Sequence, residues 1–425
     1  MKNKLIVSTL SFAFAAASFA ADLTVNGSAL STDGWDWTNS ANWTPAGSTV
    51  EGSNLNISGA LDAANSSVIG SALNANNVII DLNTANKFTI TNNVGTASFE
   101  NLTIENGTID FKTGSKKLSV NGTMTMRSLG NVKFTTGMGD NRTDIGKLAL
   151  QNDRNKGTLS FEGQVKIGVL EMRAVNGADG ASVIFYMHEE FLGGLSDGGV
   201  KANHKFATSW SGPLHFKNTD SYSWSGEMAL GRVKLSMEGS GEQRLDVTKF
   251  SASKWEASDG VSADYIGKSG LIATVSKGRL IINETSQQHC SLTMSGGLFK
   301  TESGISFIDG NFTGGGISVG NNSGTISFER VAKNSANQIV LDFAELTQVG
   351  DYNIISVTDV DNSTGFEWSR NDFVVKNLKE GLLASLGWKD GTFTASITSA
   401  VPEPATVAAI LGVFALAFAA YRRRR

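Results

Sequence analysis

The sequence predicts an all-β protein: an elongated β-solenoid of the parallel β-helix kind, with a cap at each end and a C-terminal hydrophobic helix. Three observations predict it. First, run after run alternates apolar residues with Thr, Ser, Lys and Asp at period two, the pattern of half-buried strands. Second, the runs meet at Asn-Gly, Asn-Asn and Gly-rich corners in a chain of 425 residues with 47 Gly. Asn and Gly reach positive φ with little strain, so sharp corners can recur. Third, this grammar persists for nearly 300 residues without a long helical crossover, and only Pro45 and Pro213 interrupt the body.

The N-terminus comes first. Lys2 and Lys4 precede an apolar stretch over 5–17, and Ser18-Phe19-Ala20 offers small residues for cleavage. Residues 1–20 therefore read as a secretory signal peptide, cut between Ala20 and Ala21. Residues 21–68 are expected to form the N-terminal cap. The solenoid body is expected over 69–330. Its strands include Val78-Ile79-Ile80-Asp81-Leu82, Leu102-Thr103-Ile104, Thr108-Ile109-Asp110-Phe111, Leu118-Ser119-Val120, Lys147-Leu148-Ala149-Leu150 and Val165-Lys166-Ile167. With about 20–25 residues per coil and ~4.8 Å between coils, the body would be a rod of roughly 60–70 Å. No strict repeat is present. The nearest is Trp210-Ser211-Gly212 and Trp224-Ser225-Gly226.

Residues 331–399 read as a closing β cap, because a solenoid must cover its terminal edge. Its strands would include Ile339-Val340-Leu341-Asp342-Phe343, Tyr352-Asn353-Ile354-Ile355-Ser356-Val357 and Phe393-Thr394-Ala395-Ser396-Ile397. The best candidate for a short helix in the body is 377–386, although Gly381 weakens it. Residues 401–425 are tripartite. Pro402-Glu403-Pro404 leads into the apolar run 405–420, which is followed by Tyr421 and then Arg422, Arg423, Arg424 and Arg425. The run is read as a transmembrane helix, about 24 Å long against a hydrocarbon core of roughly 30 Å. Tyr421 and the snorkelling arginines extend it and keep the tail cytoplasmic.

This tail resembles the PEP-CTERM sorting signal. The resemblance implies that an exosortase, a membrane protease-transpeptidase, recognises Pro402, Glu403 and Pro404. It makes residues 407–420 of this run a transient anchor and Arg422, Arg423, Arg424 and Arg425 the retention cluster. The body is similar to autotransporter-like β-helix passengers that carry such tails. Trp35-Asp36-Trp37-Thr38-Asn39-Ser40-Ala41-Asn42-Trp43 carries that resemblance, as does Ser221-Tyr222-Ser223-Trp224-Ser225-Gly226 running into Arg232-Val233-Lys234-Leu235. The associated strand repeat occurs here in one poor copy, and no translocator barrel is expected.

Charge and composition exclude other classes. The chain carries a net charge of −4. Without the two end segments, basic residues fall from 36 to 30 and acidic residues from 40 to 39, leaving a body near −9. An acidic body without basic stripes excludes a nucleic-acid partner. One Cys forms no internal disulfide and no multi-Cys zinc site, and His number only 4. No catalytic residue, cofactor or metal site is expected.

Six constellations are weighed against blander readings. His188-Glu189 opens a zincin pattern, but Leu192 stands at the second His position. Asp359-Val360-Asp361 opens like a calcium loop and then departs from it. Gly194-Leu195-Ser196-Asp197-Gly198 matches a nucleophile elbow, which has meaning only between a strand and a helix. Asp140, Asp144 and Arg142, or His188, Glu189 and Glu190, would serve a polysaccharide lyase or hydrolase if they shared a face. Trp35, Trp37 and Trp43 form either a sugar-stacking platform or the seal of the first coil. His289 and Cys290, adjacent on a strand, point to opposite faces. The leading expectation is a non-enzymatic surface or matrix protein with adhesive or structural use. Its expected partners are an exosortase-like enzyme, the membrane through its C-terminal helix, and envelope polysaccharide. The alternative is an extracellular carbohydrate-binding or carbohydrate-cleaving β-helix protein.

Overall fold

A computed structural model describes residues 20–61, 64–83, 86–92, 95–114, 116–127, 131–152, 158–174, 180–186, 190–209, 213–400 and 404–423. Residues 1–19 of the expected signal peptide, Trp210-Ser211-Gly212, Pro402, Glu403, Arg424 and Arg425 lie outside them. The described chain winds into a β-solenoid of about 11 turns. At ~4.8 Å per turn the rod is roughly 50 Å long. That is shorter than the sequence suggests, because part of the chain leaves the coil.

Parallel pairing of each strand with the strand one coil later builds the rod. Leu55 pairs with Val78, Val78 with Leu102, Leu102 with Met124, Met124 with Leu148, and Leu148 with Leu170. All six are buried and form an aliphatic ladder inside the rod. A second ladder is aromatic. Phe111, Phe134, Phe161 and Phe185 are in register, with ring centroids 4.7, 5.2 and 5.4 Å apart. Period-two alternation supplies these inward positions, and stacking repeats the same contact from coil to coil. Outside the rod, Asn54, Asn77 and Asn101 pass one hydrogen bond along three coils: Nδ2 of Asn77 donates to Asn54, and Nδ2 of Asn101 to Asn77. Glycine is required where corners stack most closely. A Cβ on Gly168 would lie 2.2 Å from the carbonyl oxygen of Gly146, and one on Gly193 2.0 Å from that of Gly168.

The two ends switch to antiparallel pairing. At the start, Asp22–Val25 pairs antiparallel with Trp43–Thr44 and parallel with Asn54–Gly59. Asn26 accepts from the Ala29 amide and caps a short helix, Gly27–Leu30. At the far end Thr392–Ser399 pairs antiparallel with both Gly350–Val357 and Leu382–Lys389. Parallel pairing itself runs on past residue 330, since Ile339–Asp342 stacks on Phe373–Lys376.

Two features depart from the sequence expectation. Residues 377–386 form no helix. Asn377 and Gly381 take left-handed φ values of 56° and 81°, and Leu382–Lys389 is a strand. Leu382, Ala384, Leu386 and Trp388 alternate toward the core, so period two prevails there. Between Leu245 and its coil partner Ile282 the chain also makes an excursion. Trp255 and Tyr265 of this excursion bury against Cys290 and Ile308, forming a small core outside the rod.

The expected C-terminal helix is present as Pro404–Arg423. Among the described residues, however, no helix is long and apolar enough to cross a membrane. The apolar run rises about 24 Å, short of a core of roughly 30 Å. The full span expected from the sequence is corrected on that ground.

Candidate functional site

The densest charged constellation among the described residues lies on the outer face of the later coils. In Glu242–Ala252, Glu242, Arg244 and Asp246 alternate with the buried Gln243 and Leu245, so the three charges share the outer face. One coil later, register places Arg279 on Glu242 and Asn283 on Asp246. Lys300 ends the next coil's strand and Glu302 follows it. Glu345, after Ile339–Asp342, reaches back over the face.

The charges alternate in sign along a continuous chain of contacts. Arg279 bridges Glu242 and Glu345. Lys300 Nζ, whose side chain is only 6% exposed, lies 2.6 Å from Glu345 and 3.0 Å from Glu302. Arg244 contacts Glu302 at 2.6 Å and Asp246 at 3.0 Å. Asp246 also accepts from Asn283 at 2.7 Å and pairs with Lys201 at 3.3 Å.

The electrostatics follow from this order. Hydrogen bonding to Arg244 outweighs burial and holds the Glu302 carboxyl down at about 2. Burial pushes Glu345 and Asp246 upward, but their cationic partners prevail and both sit below the usual carboxylate range. Arg244 is correspondingly raised by Glu302. Glu302, Glu345 and Asp246 are thus held ionised. A general acid for glycosidic cleavage needs a raised carboxyl pKa near neutrality, and this face supplies the reverse. The face works instead as a strap across successive coils.

The strap has a pH signature. Depressed folded-state pKa values mean that its stabilisation is complete above the unfolded carboxylate range, about pH 4.5. It is lost as pH falls through the folded values toward 2. Glu302→Gln should lower Tm at pH 7 by about 1–2 °C, the scale of one such pair in a chain of this length. It should also flatten the acid limb of a Tm-against-pH series followed by circular dichroism.

The residues singled out from the sequence are placed as follows. Asp144 pairs with Arg142 at 2.7 Å and Lys117 at 2.9 Å, whereas Asp140 is exposed on the turn Gly139–Asn141. His188 and Glu189 lie outside the described residues, and of Glu190 only the strand position is described. Trp35, Trp37 and Trp43 are buried against one another, with centroids 5.7–6.4 Å apart. Trp37 Nε1 donates to Ser67 and Trp43 Nε1 to the Trp37 carbonyl. They seal the first coil and offer no stacking platform. Leu195–Ser196 is a strand that runs into a turn, not a helix. Asp197 there is buried and accepts from Ser225 Oγ at 3.0 Å and the Gly199 amide at 2.9 Å.

His289 and Cys290 do face opposite ways. His289 packs between Phe250 and Phe307 and its Nε2 lies 2.8 Å from Glu284, while Cys290 belongs to the small core of the excursion. Burial pushes the Cys290 thiol up to about 11, which keeps it protonated and unreactive. Asp359 accepts from the Asn362 amide and side chain within a turn. Among the described residues no group of three His, Cys, Asp or Glu is placed to hold a metal.

The charged face was half legible in the sequence. Glu242-x-Arg244-x-Asp246 and Lys300-x-Glu302 carry alternate charges at period two, a sign that they share one outer face. Arg279 and Glu345 join only through the fold, 66 residues apart. Compared with known families, curated proteins and solved structures, the chain matches none.

Proposed function

We propose that this chain is an exported bacterial surface or extracellular-matrix protein with a structural or adhesive role, sorted by its tail. The observation that carries the reading is the order of the last 25 residues. Pro402-Glu403-Pro404 leads directly into the helix Pro404–Arg423, and the arginines follow. In this reading the helix holds the exported chain at the membrane as a short anchor. Arg422, Arg423, Arg424 and Arg425 arrest it there, and an exosortase-like enzyme acts at Pro402, Glu403 and Pro404. The rod of stacked coils then serves as a spacer. Its charged face is neutralised internally, which suits a scaffold better than a catalyst.

Changing Pro402-Glu403-Pro404 to three alanines in the native host is expected to leave an unprocessed, membrane-held species. Immunoblotting of membrane and released fractions reads the outcome. Release equal to that of the wild type removes the sorting role from the motif.

A further inference from the structure

His204 has no solvent exposure and opens the strand His204–Thr208, which stacks between Ser182–Phe185 and Ser221–Leu230. Where the preceding coil enters Ser182–Phe185, the amide of Ala181 donates to Nδ1 of His204 at 3.1 Å rather than to a ladder carbonyl. The Ala181 carbonyl in turn accepts from the Lys205 amide at 2.8 Å, so both main-chain groups of Ala181 close on this one corner. An amide N–H can meet only an unprotonated ring nitrogen, so the imidazole is neutral with its proton on Nε2. Nε2 is buried, faces the Val200 carbonyl and has no well-formed hydrogen bond among the described residues.

Backbone packs closely on both sides of the corner. A Cβ on Gly180 would lie 2.2 Å from the Asn203 carbonyl carbon, and one on Gly226 2.3 Å from the His204 carbonyl oxygen. The charges nearby are committed elsewhere. On the turn before His204, Asp197 accepts from Ser225 Oγ and the Gly199 amide, and Lys201 pairs with Asp246. On the strand after it, Glu227 pairs with Lys205 at 3.9 Å. Residues 180–185 of the preceding coil carry no charge. Burial holds His204 below the ordinary histidine range, against the smaller upward pull of the Val200 carbonyl and Asp197.

We propose that His204 is an acid-sensitive latch: neutral, it ties two coils together at Ala181, and protonated, it opens the rod at that coil. A proton on Nδ1 would set one N–H against another and leave a buried cation without a contacting carboxylate, both costly. His289 makes the contrast. Its Nδ1 also accepts a backbone amide, from Leu271 at 3.3 Å, but Glu284 lies 2.8 Å from its Nε2, placed to balance a proton. The sign follows from linkage. The unfolded chain takes up the His204 proton near 6.5 and the folded corner only at lower pH. Stability at this coil is therefore complete above about pH 6.5 and is lost as pH falls from there toward the folded value. The charged strap is still intact in that window, since its loss begins only below about pH 4.5.

The test is hydrogen exchange on the full chain from about pH 7.5 to about pH 5, expressed as protection factors so that the pH dependence of free-amide exchange cancels. Ser182–Phe185, His204–Thr208 and Ser221–Leu230 should lose up to about tenfold in protection per pH unit below 6.5, while Asn54–Gly59 and Ile339–Asp342 keep theirs. His204→Asn offers a carboxamide oxygen that accepts from Ala181 without titrating. It should keep the neutral-pH protection and lose none of it in acid. His204→Ala lacks the acceptor at every pH, so its three strands should be poorly protected already at neutral pH, with no further acid loss. Wild-type protection that stays flat to about pH 5 in these strands, or an acid loss that persists undiminished in His204→Asn or His204→Ala, overturns the proposal.

Discussion

Asp372→Ala is expected to destabilise the last coils by about 3–5 kcal/mol, the cost of leaving a buried charge without its partner. Asp372 has no solvent exposure, and its carboxylate lies 2.9 Å from Nζ of Lys333, itself only 10% exposed. The carboxylate also accepts from the backbone amides of Glu367 and Ser369 at 3.1 and 3.2 Å. These bonds fix a loop that lays Phe366 and Trp368 against Trp388, the last pair at 4.5 Å between centroids. Removing the carboxylate strands Lys333 in the interior and frees the loop. Denaturant titration followed by tryptophan fluorescence should show an earlier transition. Asp372→Ala combined with Lys333→Met should recover most of the loss, because no buried charge is then left over. Equal destabilisation by the single and double variants would assign the effect to the loop's amides rather than to the ion pair.

Phe134→Ala is expected to cost about 3–5 kcal/mol. Phe134 is fully buried at the centre of the aromatic ladder, stacked on Phe111 at 4.7 Å and Phe161 at 5.2 Å. Truncation opens a cavity in two interfaces at once, and a solenoid distributes its stability over such interfaces. Hydrogen exchange should lose protection first in Val132–Thr135 and in the strands directly above and below it. Phe134→Leu should cost much less, since most of the volume remains. Loss of protection spread evenly along the rod would contradict a stability built coil by coil.

How much of this was legible follows from range. Strand identity is local: the alternation in Leu118-Ser119-Val120 or Val165-Lys166-Ile167 states which side chains point inward, and the strands Leu118–Met126 and Val165–Ala174 form there. Stacking was legible from the Asn and Gly corners, and the crowded carbonyls around Gly146, Gly168 and Gly193 give its reason. The excursion after Ala252 was not legible. Trp255 and Tyr265 bury against residues of later coils, and nothing near them in sequence says so. Residues 377–386 misled because Leu-Leu-Ala-Ser-Leu has helical propensity. Pairing with Thr392–Ser399 across the Asp390-Gly391 turn overrides that propensity. The charged face lay between these cases, with strand-local triplets visible and its cross-coil partners hidden. His289 and Cys290 were placed correctly on opposite faces by strand geometry alone, although each found its own buried surroundings only in the fold.

The most direct test of the proposed sorting is the mass of the C-terminal peptide of the protein recovered from the cell surface and medium of its native host. The expected result is a chain that ends at or near Pro402, Glu403 and Pro404, without the helix and without Arg422, Arg423, Arg424 and Arg425. A surface-localised chain that still ends at Arg425 would contradict it.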